Sequence, residues 1–458
     1  MSSNKPDHDV VVTFDRLTVR GEASVVLDGI EVRVPGGIPG EAARVHITRR
    51  SRGGPVAWGK VTGIPTPAAS RREAPCALEG RCGGCGLQHI RDEDQFDIKV
   101  AGALADLPTA LRDRLAPRQE WVRSAPWDWR HKAVLLPALR GERLLLGGFR
   151  RGTHDIEDLP HCAVLAPRLR EAREAIRGPL KKLVRAGLQL CPPGSALHGG
   201  ALRAIVLRAS RSGDVLATVV VTSPNAALRS LLTALVDSGA LAGAFEHVHS
   251  SPGDAIRGSG PVEHLAGVQA STETIAGVPL PLLPMAFFQV NPGVLEGMVL
   301  RLRAEAGTPR RLVDAYSGVG ALGLAVAAGL QPSPGLIGCD VDPGAIEAAS
   351  AAAEGLSLSA AYSIGRPEDV LATNDTDVVL VDPPGKGCDP AALEGLTRGT
   401  PQRLLYVSCS TASLARDTER LAALGFEARG LWPADMLPQT AHLEWIARFE
   451  PISPRQMA

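Results

Sequence analysis

Three residues near the carboxyl end of the chain are of types that can form and break covalent bonds. Asp382 follows the apolar run VVLV, and Cys409 follows the apolar run LLYV. A cysteine at the end of a buried strand can act as a nucleophile, because its thiolate attacks electron-poor carbon. Further along, Glu444 precedes the apolar run WIARF and could serve as a general base. The structural alternatives are a buried core thiol and a surface carboxylate.

A glycine-containing turn upstream has the pattern of a ligand-binding loop. The run DAYSGVG holds Asp314, Tyr316, Gly318 and Gly320 between an apolar strand-like run and a helical segment. Its glycines let the backbone approach a ligand, and the N–H groups of the helix start face that ligand. The next apolar run ends in Asp340, whose carboxylate can accept both hydroxyls of a ribose. The turn lacks a GxGxxG phosphate cradle, which favours S-adenosylmethionine over NAD; a purely structural turn is the alternative.

Cysteine spacing indicates a metal centre. Three thiols follow the pattern C-x5-C-x2-C and a fourth lies further on: Cys76, Cys82, Cys85 and Cys162. In a reducing compartment such thiols bind metals rather than form disulfides. Zinc sites have two close pairs, so three clustered cysteines and one remote cysteine favour an iron–sulfur cluster, with zinc or chance clustering as alternatives. Three further cysteines are expected to be buried core residues: Cys191, Cys339 and Cys388.

Three regions of different pattern must position these groups. Residues 1–64 alternate apolar and polar positions in short runs separated by turn signals, which predicts a small β-barrel. Residues 65–285 begin with a Pro/Ala/Arg-rich linker and then mix amphipathic helices with strand-like runs, which predicts an α+β domain. In residues 286–458 apolar runs alternate with helical segments. This predicts an α/β, doubly wound Rossmann-like sheet with ligand sites at the carboxyl ends of its strands.

Composition sets limits on the class of protein. The 458 residues are 45% hydrophobic and 21% charged, which excludes a disordered chain and a small disulfide-stapled fold. Lys and Arg total 49, as do Asp and Glu, and zero net charge alone argues against a nucleic-acid partner. However, residues 111–210 carry about twice as many basic as acidic residues, and residues 311–458 show the reverse bias. No apolar run is long enough to span a membrane and no signal-peptide pattern is seen, so we expect a cytoplasmic protein without a membrane partner.

Together these segments resemble the RNA (uracil-5-)-methyltransferase family, specifically its members with a TRAM domain and a four-iron, four-sulfur cluster that modify 23S rRNA. The resemblance covers nearly the whole chain. The segments that carry it are, in chain order, VPGGIPGE, SRR, PC, CGGC with LQH, GFR with DI, FFQVN, DAYSGVG, GCD, DPP, SC and HLE. The resemblance implies a TRAM barrel that binds RNA, a central domain with the cluster and a C-terminal catalytic domain.

The resemblance also implies a reaction that forms 5-methyluridine. Cys409 would add to C6 of uracil, C5 would then attack the methyl group of S-adenosylmethionine, and Glu444 would remove the C5 proton. Asp382 and Gln289 would hold the flipped base, with Phe287 also in contact with the substrate. These roles make Cys409, Glu444 and Asp382 the expected catalytic residues.

The remaining assignments from the resemblance concern the cofactors and the partner. The expected S-adenosylmethionine contacts are Gln289, Asp314, Tyr316, Gly318, Gly320, Asp340 and Asp382, with Glu368 a weaker candidate near the adenine. The expected ligands of a [4Fe-4S] cluster are Cys76, Cys82, Cys85 and Cys162, in a structural or RNA-positioning role. We expect a monomer that acts on ribosomal RNA, with tRNA as the alternative substrate.

Two departures from the family pattern affect the catalytic loops. The family has Arg after DPP and Asn-Pro after SC, whereas this chain has Gly385-Lys386 and Ser410-Thr411. The changes concern loop shape and substrate contacts rather than the nucleophile and base, which are both present. An RNA-binding or folding protein that has lost catalysis is therefore one alternative. A cytosine C5 methyltransferase is another, although FFQVN and HLE favour uracil.

Overall fold

The computed structural model describes residues 9–191, 201–370 and 376–452. It has the predicted α/β architecture, with a small N-terminal β unit, a central α+β unit and a C-terminal Rossmann-like sheet. No helix in these described ranges is long and apolar enough to cross a membrane.

The N-terminal unit is one six-stranded sheet around its own apolar core. Its strands are β1 (Val10–Thr13), β2 (Arg16–Leu17), β3 (Glu22–Leu27), β4 (Ile30–Pro35), β5 (Ala42–Arg50) and β6 (Val56–Thr66). They are ordered β1-β5-β6-β4-β3-β2, and all pairs are antiparallel except β4–β6. The segment predicted as a linker is anchored beyond Thr66, because Arg71 forms a two-pronged ion pair with the fully buried Glu41.

The central unit is a seven-stranded sheet with helices packed against one face. Two helices precede it, α1 (Asp92–Leu104) and α2 (Thr109–Arg112). Its elements are β7 (Lys132–Arg140), β8 (Arg143–Phe149), β9 (Ile156–Asp158), α3 (Pro167–Arg185), β10 (Leu202–Ala209), β11 (Val215–Val221), α4 (Ala226–Asp237), β12 (Gly243–Val248) and β13 (Val262–Gly267). The strand order is β13-β12-β11-β10-β7-β8-β9. The apolar faces of α3 and α4 share one core with β10 and β11, as amphipathic helices should. A separate hairpin follows, β14 (Ser271–Ile275) and β15 (Val278–Leu282).

The C-terminal unit is the predicted doubly wound sheet. Its elements are α5 (Pro292–Ala306), β16 (Arg311–Ala315), α6 (Ala321–Ala328), β17 (Gly335–Asp340), α7 (Pro343–Gly355), β18 (Ala360–Ile364), α8 (Pro367–Val370), β19 (Val378–Val381), α9 (Pro390–Arg398), β20 (Arg403–Ser408), α10 (Thr411–Ala423), β21 (Phe426–Ala434) and β22 (Glu444–Pro451). The order is β18-β17-β16-β19-β20-β22-β21, with β18 to β20 parallel and β22 antiparallel to its neighbours. Separate apolar cores cover its two faces.

Packing crosses the divisions drawn from sequence patterns. Phe96 and Val100 of α1 belong to the core on one face of the C-terminal sheet. Ile275 and Leu280 of the β14–β15 hairpin belong to the core on the other face. The buried amine of Lys99 on α1 also pairs with Asp435, which follows β21. Parts of residues 65–285 therefore support the C-terminal sheet directly.

Candidate active site

The carboxyl edge of the C-terminal sheet gathers most of the predicted site residues. The turn after β16 holds Gly318, β17 ends in Asp340, and Asp382 and Cys409 directly follow β19 and β20. These four strands are neighbours in the order β17-β16-β19-β20. Because they are parallel, their carboxyl ends meet along one edge of the sheet.

The antiparallel strand β22 brings Glu444 beside Cys409. In the β20–β22 ladder, Ser408 is paired with Trp445, so the residues one step further, Cys409 and Glu444, stand opposite each other. A strand that runs antiparallel begins where its parallel neighbour ends, which explains why Glu444 lies at this edge. The predicted nucleophile and base are therefore adjacent.

Burial and mutual repulsion favour the protonated forms of these acids. Partial desolvation at the sheet edge, then Glu444, then Asp382 raise the pKa of the Cys409 thiol to about 11, although the residue is accessible from solvent. Burial raises the pKa of Asp382 to about 7, and burial with Asp382 nearby holds the pKa of Glu444 well above its usual range. Within the described residues, neither carboxylate has an ion pair with a basic side chain.

The residues that depart from the family pattern have clear structural roles beside Cys409. The Oγ of Ser410 accepts a hydrogen bond from the backbone N–H of Ser413 (3.2 Å) and caps α10. Thr411 Oγ1 accepts one from Trp445 Nε1 (3.0 Å), which ties the start of α10 to β22. A Cβ at Gly385 would stand 3.5 Å from Cys409 Sγ, so glycine leaves room beside the thiol.

The glycine turn is held open by Asp340. Its two carboxylate oxygens accept the backbone N–H groups of Gly318 and Asp342, each at 2.9 Å. Gly318 has a φ of 53°, and a Cβ there would meet no atom within 4 Å. The Ser317 hydroxyl is buried and has no hydrogen-bond partner among the described residues. Open space, an unsatisfied hydroxyl and a carboxylate fit an adenosyl ligand at this turn.

Other predicted cofactor residues have different positions in the structure. Asp314 is buried below the turn, where it accepts a hydrogen bond from the Gly323 N–H (3.0 Å) and burial raises its pKa to about 8. The Tyr316 side chain is directed to Cys388, which with burial raises the pKa of its phenol. Gly320 has a φ of 76° and begins α6. Glu368, on α8, has its nearest basic partner in Arg366 at 3.8 Å.

One residue at this edge was missed by the sequence reasoning. The ring of Tyr362, on β18, covers Gly338, where a Cβ would approach it to 2.2 Å. Its hydroxyl is buried without a hydrogen-bond partner in the described structure and lies 2.9 Å from where a Cβ of Gly320 would stand. The sequence signal for Tyr362 was a tyrosine on the strand that follows the GCD segment, because a glycine within a strand marks a place where another group packs closely.

The FFQVN segment divides its residues between the core and the surface. Phe288 is buried, whereas Phe287 is 68% exposed. Asn291 caps α5 by accepting the N–H of Val294 (3.3 Å). Gln289 lines a small cavity with Lys132 and no hydrogen bond joins it to Asp382 in the described ranges.

The four cysteines meet around one cavity of about 320 Å³. Hydrogen bonds tie the loop of Cys82 and Cys85 to the turn after β8, among them one from the Gly83 N–H to the Phe149 carbonyl (3.0 Å) and one from Arg151 to the Cys85 carbonyl (2.6 Å). Burial raises the pKa of Cys85 to about 12. No described group of three or more His, Cys, Asp or Glu side chains is arranged to hold a metal ion. The three other predicted core cysteines are buried: Cys191, Cys339 and Cys388.

The fold is that of Rossmann-like methyltransferases, and comparison with known proteins shows the family. An uncharacterized RNA methyltransferase of Bacillus cereus is 30% identical over 453 residues, covering 95% of each chain. Proteins of the same description from Thermosynechococcus vestitus and Gloeobacter violaceus are 31% and 32% identical, and each alignment covers 96% of this chain and 97% and 96% of theirs. This chain belongs to the RNA methyltransferases.

A solved structure has the same fold. The tRNA (uracil-54, C5)-methyltransferase of Pyrococcus abyssi, in complex with S-adenosyl-L-homocysteine, matches with a TM-score of 0.73 at 23% identity. The match covers 96% of this chain and 100% of that one. No family model matches the chain.

Proposed function

We propose that this RNA methyltransferase transfers a methyl group from S-adenosylmethionine to C5 of a uridine. The observation that carries the proposal is the pairing of Cys409 with Glu444 at the edge that also holds Asp340 and the open turn. A thiol opposite a carboxylate is what C5 methylation of a pyrimidine requires, because one group must activate the ring and the other must take its proton. The uracil specificity and bound S-adenosyl-L-homocysteine of the Pyrococcus abyssi structure support this choice.

In the proposed reaction Cys409 and Glu444 act in turn. The Cys409 thiolate bonds to C6, and the electrons of the C5–C6 double bond move to C5 and O4. C5 then forms a bond to the methyl carbon that S-adenosylmethionine would supply; the bond between that carbon and sulfur breaks, and S-adenosylhomocysteine leaves with the electron pair. Glu444 then takes the proton from C5, the double bond re-forms, and the thiolate leaves C6. The active site must also stabilise the Cys409 thiolate. The positively charged sulfonium of S-adenosylmethionine, bound near Asp382 and Glu444, would lower the pKa of that thiol.

For the cofactor, we propose that the Asp340 carboxylate binds the ribose hydroxyls. The open space beside Gly318 would then hold the adenosyl group. Both oxygens of Asp340 are fixed by backbone N–H groups, so their remaining lone pairs have a set direction. Ser317 supplies a free hydroxyl. Of the other expected contacts, Gly320 shapes the turn and Asp382 adds a carboxylate at the edge. The side chains of Asp314 and Tyr316 support the turn from below, through the Gly323 N–H and Cys388.

For the base, the exposed ring of Phe287 offers a stacking surface, since RNA bases are recognised in single-stranded form by aromatic side chains. Asp382, with a pKa of about 7, can donate or accept a hydrogen bond near neutral pH. A uridine must be flipped out of its stack to reach Cys409. Gln289, expected from the resemblance to hold the base together with Asp382, lines the cavity beside Lys132.

We assign the four-cysteine cavity to a [4Fe-4S] cluster. Thiolates around a cluster surround a cube of iron and sulfide, so they stand further apart than the ligands of one zinc ion. Four thiols that line one cavity of about 320 Å³ leave space for a group larger than a single ion. Cys76, Cys82, Cys85 and Cys162 would then close the cavity and fix the loops around it.

The proposed substrate is 23S rRNA, because a TRAM-like β unit together with a four-cysteine motif resembles the enzymes that modify it. The tRNA specificity of the Pyrococcus abyssi structure favours tRNA as the second candidate. Quantifying 5-methyluridine in rRNA and tRNA, from cells with and without the gene, separates the two. Loss from 23S rRNA alone supports the first, loss from tRNA alone the second, and no loss from either contradicts the proposed function.

A loss of catalysis is tested separately with 5-fluorouridine in RNA. Fluorine at C5 cannot be removed as a proton, so a competent Cys409 leaves a stalled covalent adduct after methyl transfer. The protein should form this adduct, and the Cys409→Ala variant should not. RNA binding without an adduct in the unmodified protein would indicate an RNA-binding protein.

A further inference from the structure

Two positive side chains face each other on neighbouring strands of the central sheet. Lys132 on β7 and Arg208 on β10 are direct cross-strand partners. Like charges in this arrangement destabilise a sheet. Arg208 is only 2% exposed, donates one hydrogen bond to the Ala286 carbonyl (2.6 Å), and has no partner for its Nε among the described residues. Fold stability alone does not explain this pair.

Two more arginines surround Lys132. Arg130 donates a hydrogen bond from Nε to the Lys132 carbonyl (3.1 Å), and Arg257 approaches from the loop before β13. Burial, then Arg208, Arg130 and Arg257, lower the pKa of Lys132 to about 8. We name these four residues the cationic cluster.

Nearby carboxylates do not neutralise the cationic cluster. Glu273 lines the same small cavity as Lys132, but its carboxylate accepts hydrogen bonds from Arg211 at Nε and at the backbone N–H, each at 2.9 Å. Asp342 pairs with the outermost member, Arg257, at 2.9 Å. In the described parts of the chain neither Lys132 nor Arg208 has an acidic partner. Buried charge of one sign is costly unless a ligand compensates it.

The position of the cluster relates it to the proposed substrate. Arg208 holds the carbonyl of Ala286, the residue before the exposed Phe287. Gln289 lines the cavity with both Lys132 and Arg208. On the other side, Arg257 contacts Asp342, whose backbone N–H binds the Asp340 carboxylate. The cluster thus lies between the exposed aromatic ring and the cofactor edge.

We propose that the cationic cluster binds a backbone phosphodiester of the RNA strand beside the target uridine, with Lys132 as its main contact and Arg208 as a buried positive charge beside it. This inference rests on the proposed RNA substrate and adds the site that fixes the strand. A phosphate accepts a hydrogen bond from the Lys132 ammonium, and its negative charge compensates the buried charge of Arg208. Arg or Lys contacts to phosphate position a strand without reading its sequence.

The test compares Lys132→Gln with Lys181→Gln, which removes the same charge from an exposed position on α3. The full-length protein is titrated with single-stranded RNA that contains one uridine, at several salt concentrations. Lys132→Gln should weaken binding by about tenfold and reduce the slope of log K against log[salt] by about 1, while Lys181→Gln should match the unmodified protein. Thermal melting of each variant checks that it is folded.

A second arm identifies the phosphate. Replacing single linkages next to the uridine by uncharged methylphosphonate should weaken binding to the unmodified protein at one position, and have no effect there with Lys132→Gln. An unchanged salt slope, or equal sensitivity of both proteins to every replacement, overturns the proposal. Weaker binding of S-adenosylhomocysteine to Lys132→Gln, with RNA binding unchanged, would assign the cluster to the cofactor carboxylate instead. Because the readout is binding, a failure to find 5-methyluridine would contradict the proposed function without altering this result.

Discussion

The acidity of Cys409 offers a quantitative test of the catalytic edge. Removing the charge of Asp382 by the Asp382→Asn substitution should lower the pKa of the thiol, because a negative neighbour disfavours the thiolate. Asp382, with a pKa of about 7, is ionised at pH 9, so its charge is fully present there. The Glu444→Gln substitution should also lower the pKa of the Cys409 thiol. At a pH where Glu444 is ionised its effect should be the larger one, because Glu444 raises the pKa of Cys409 more than Asp382 does.

The expected change in the labelling rate follows from the order of the effects that raise the pKa of Cys409. The pKa of Cys409 is raised from 9.0 to about 11, and Asp382 is the third contributor after burial and Glu444. Its share is the smallest of these three, so at pH 9 we expect its loss to increase the thiolate fraction by up to about fivefold. Nucleophilicity falls as the pKa falls, with a Brønsted slope of about 0.45, so the alkylation rate should rise by about 2.5-fold at most.

Iodoacetamide labelling of the Cys409 peptide, followed by mass spectrometry between pH 7 and pH 11, measures this rate. The unmodified protein should label slowly and without a plateau below pH 10. Glu450→Gln, a change of the same kind further along β22, is the control and should leave the rate unchanged. A plateau near pH 9 in the unmodified protein, or slower labelling of Asp382→Asn, would refute the reasoning.

Three further predictions follow from the same structure. Burial raises the pKa of Asp382 to about 7 in the folded protein, so ionisation of this carboxyl destabilises the fold as pH rises from about 4 through 7. In urea unfolding, the free energy of unfolding of Asp382→Asn relative to the unmodified protein should therefore be higher at pH 8 than at pH 5. A difference that is the same at both pH values would contradict this. Gly318→Val should abolish S-adenosylhomocysteine binding in calorimetry, because valine is strained at a φ of 53° and fills the open space, whereas Gly54→Val, far from the turn, should bind normally. Protein purified anaerobically should be brown and contain iron, and Cys82→Ser should lose the visible absorbance while Cys191→Ser retains it; stoichiometric zinc without iron would falsify the cluster.

The shared position of these side chains at one edge of the sheet was predictable from the sequence, because parallel strands place their carboxyl ends together. Asp340, Asp382 and Cys409 each follow an apolar run, so their shared edge follows from the strand pattern alone. The pairing of Cys409 with Glu444 depends on the register of an antiparallel strand that begins 35 residues later, and only the resemblance pointed to it. Local pattern does not set such a register.

The features that the sequence did not predict all depend on long-range packing. The cross-strand pair of Lys132 and Arg208 joins residues that are far apart in the chain, and each alone is compatible with a solvated surface charge. The position of Tyr362 at this edge follows from the packing of its ring over Gly338, which the sequence does not specify. The packing of α1 on the C-terminal sheet likewise has no local signal, since its helical pattern fits either unit.

The covalent step is the central claim, and the Glu444→Gln variant tests it most directly. Without a base for the C5 proton, the methylated ring cannot release the thiolate, so a protein–RNA adduct should accumulate when the variant is mixed with uridine-containing RNA and S-adenosylmethionine. Mass spectrometry of the denatured adduct should find RNA that is one methyl group heavier and attached at Cys409, and no adduct should form with Cys409→Ala. Normal turnover by Glu444→Gln, or methylated uridine released by Cys409→Ala, would contradict the mechanism.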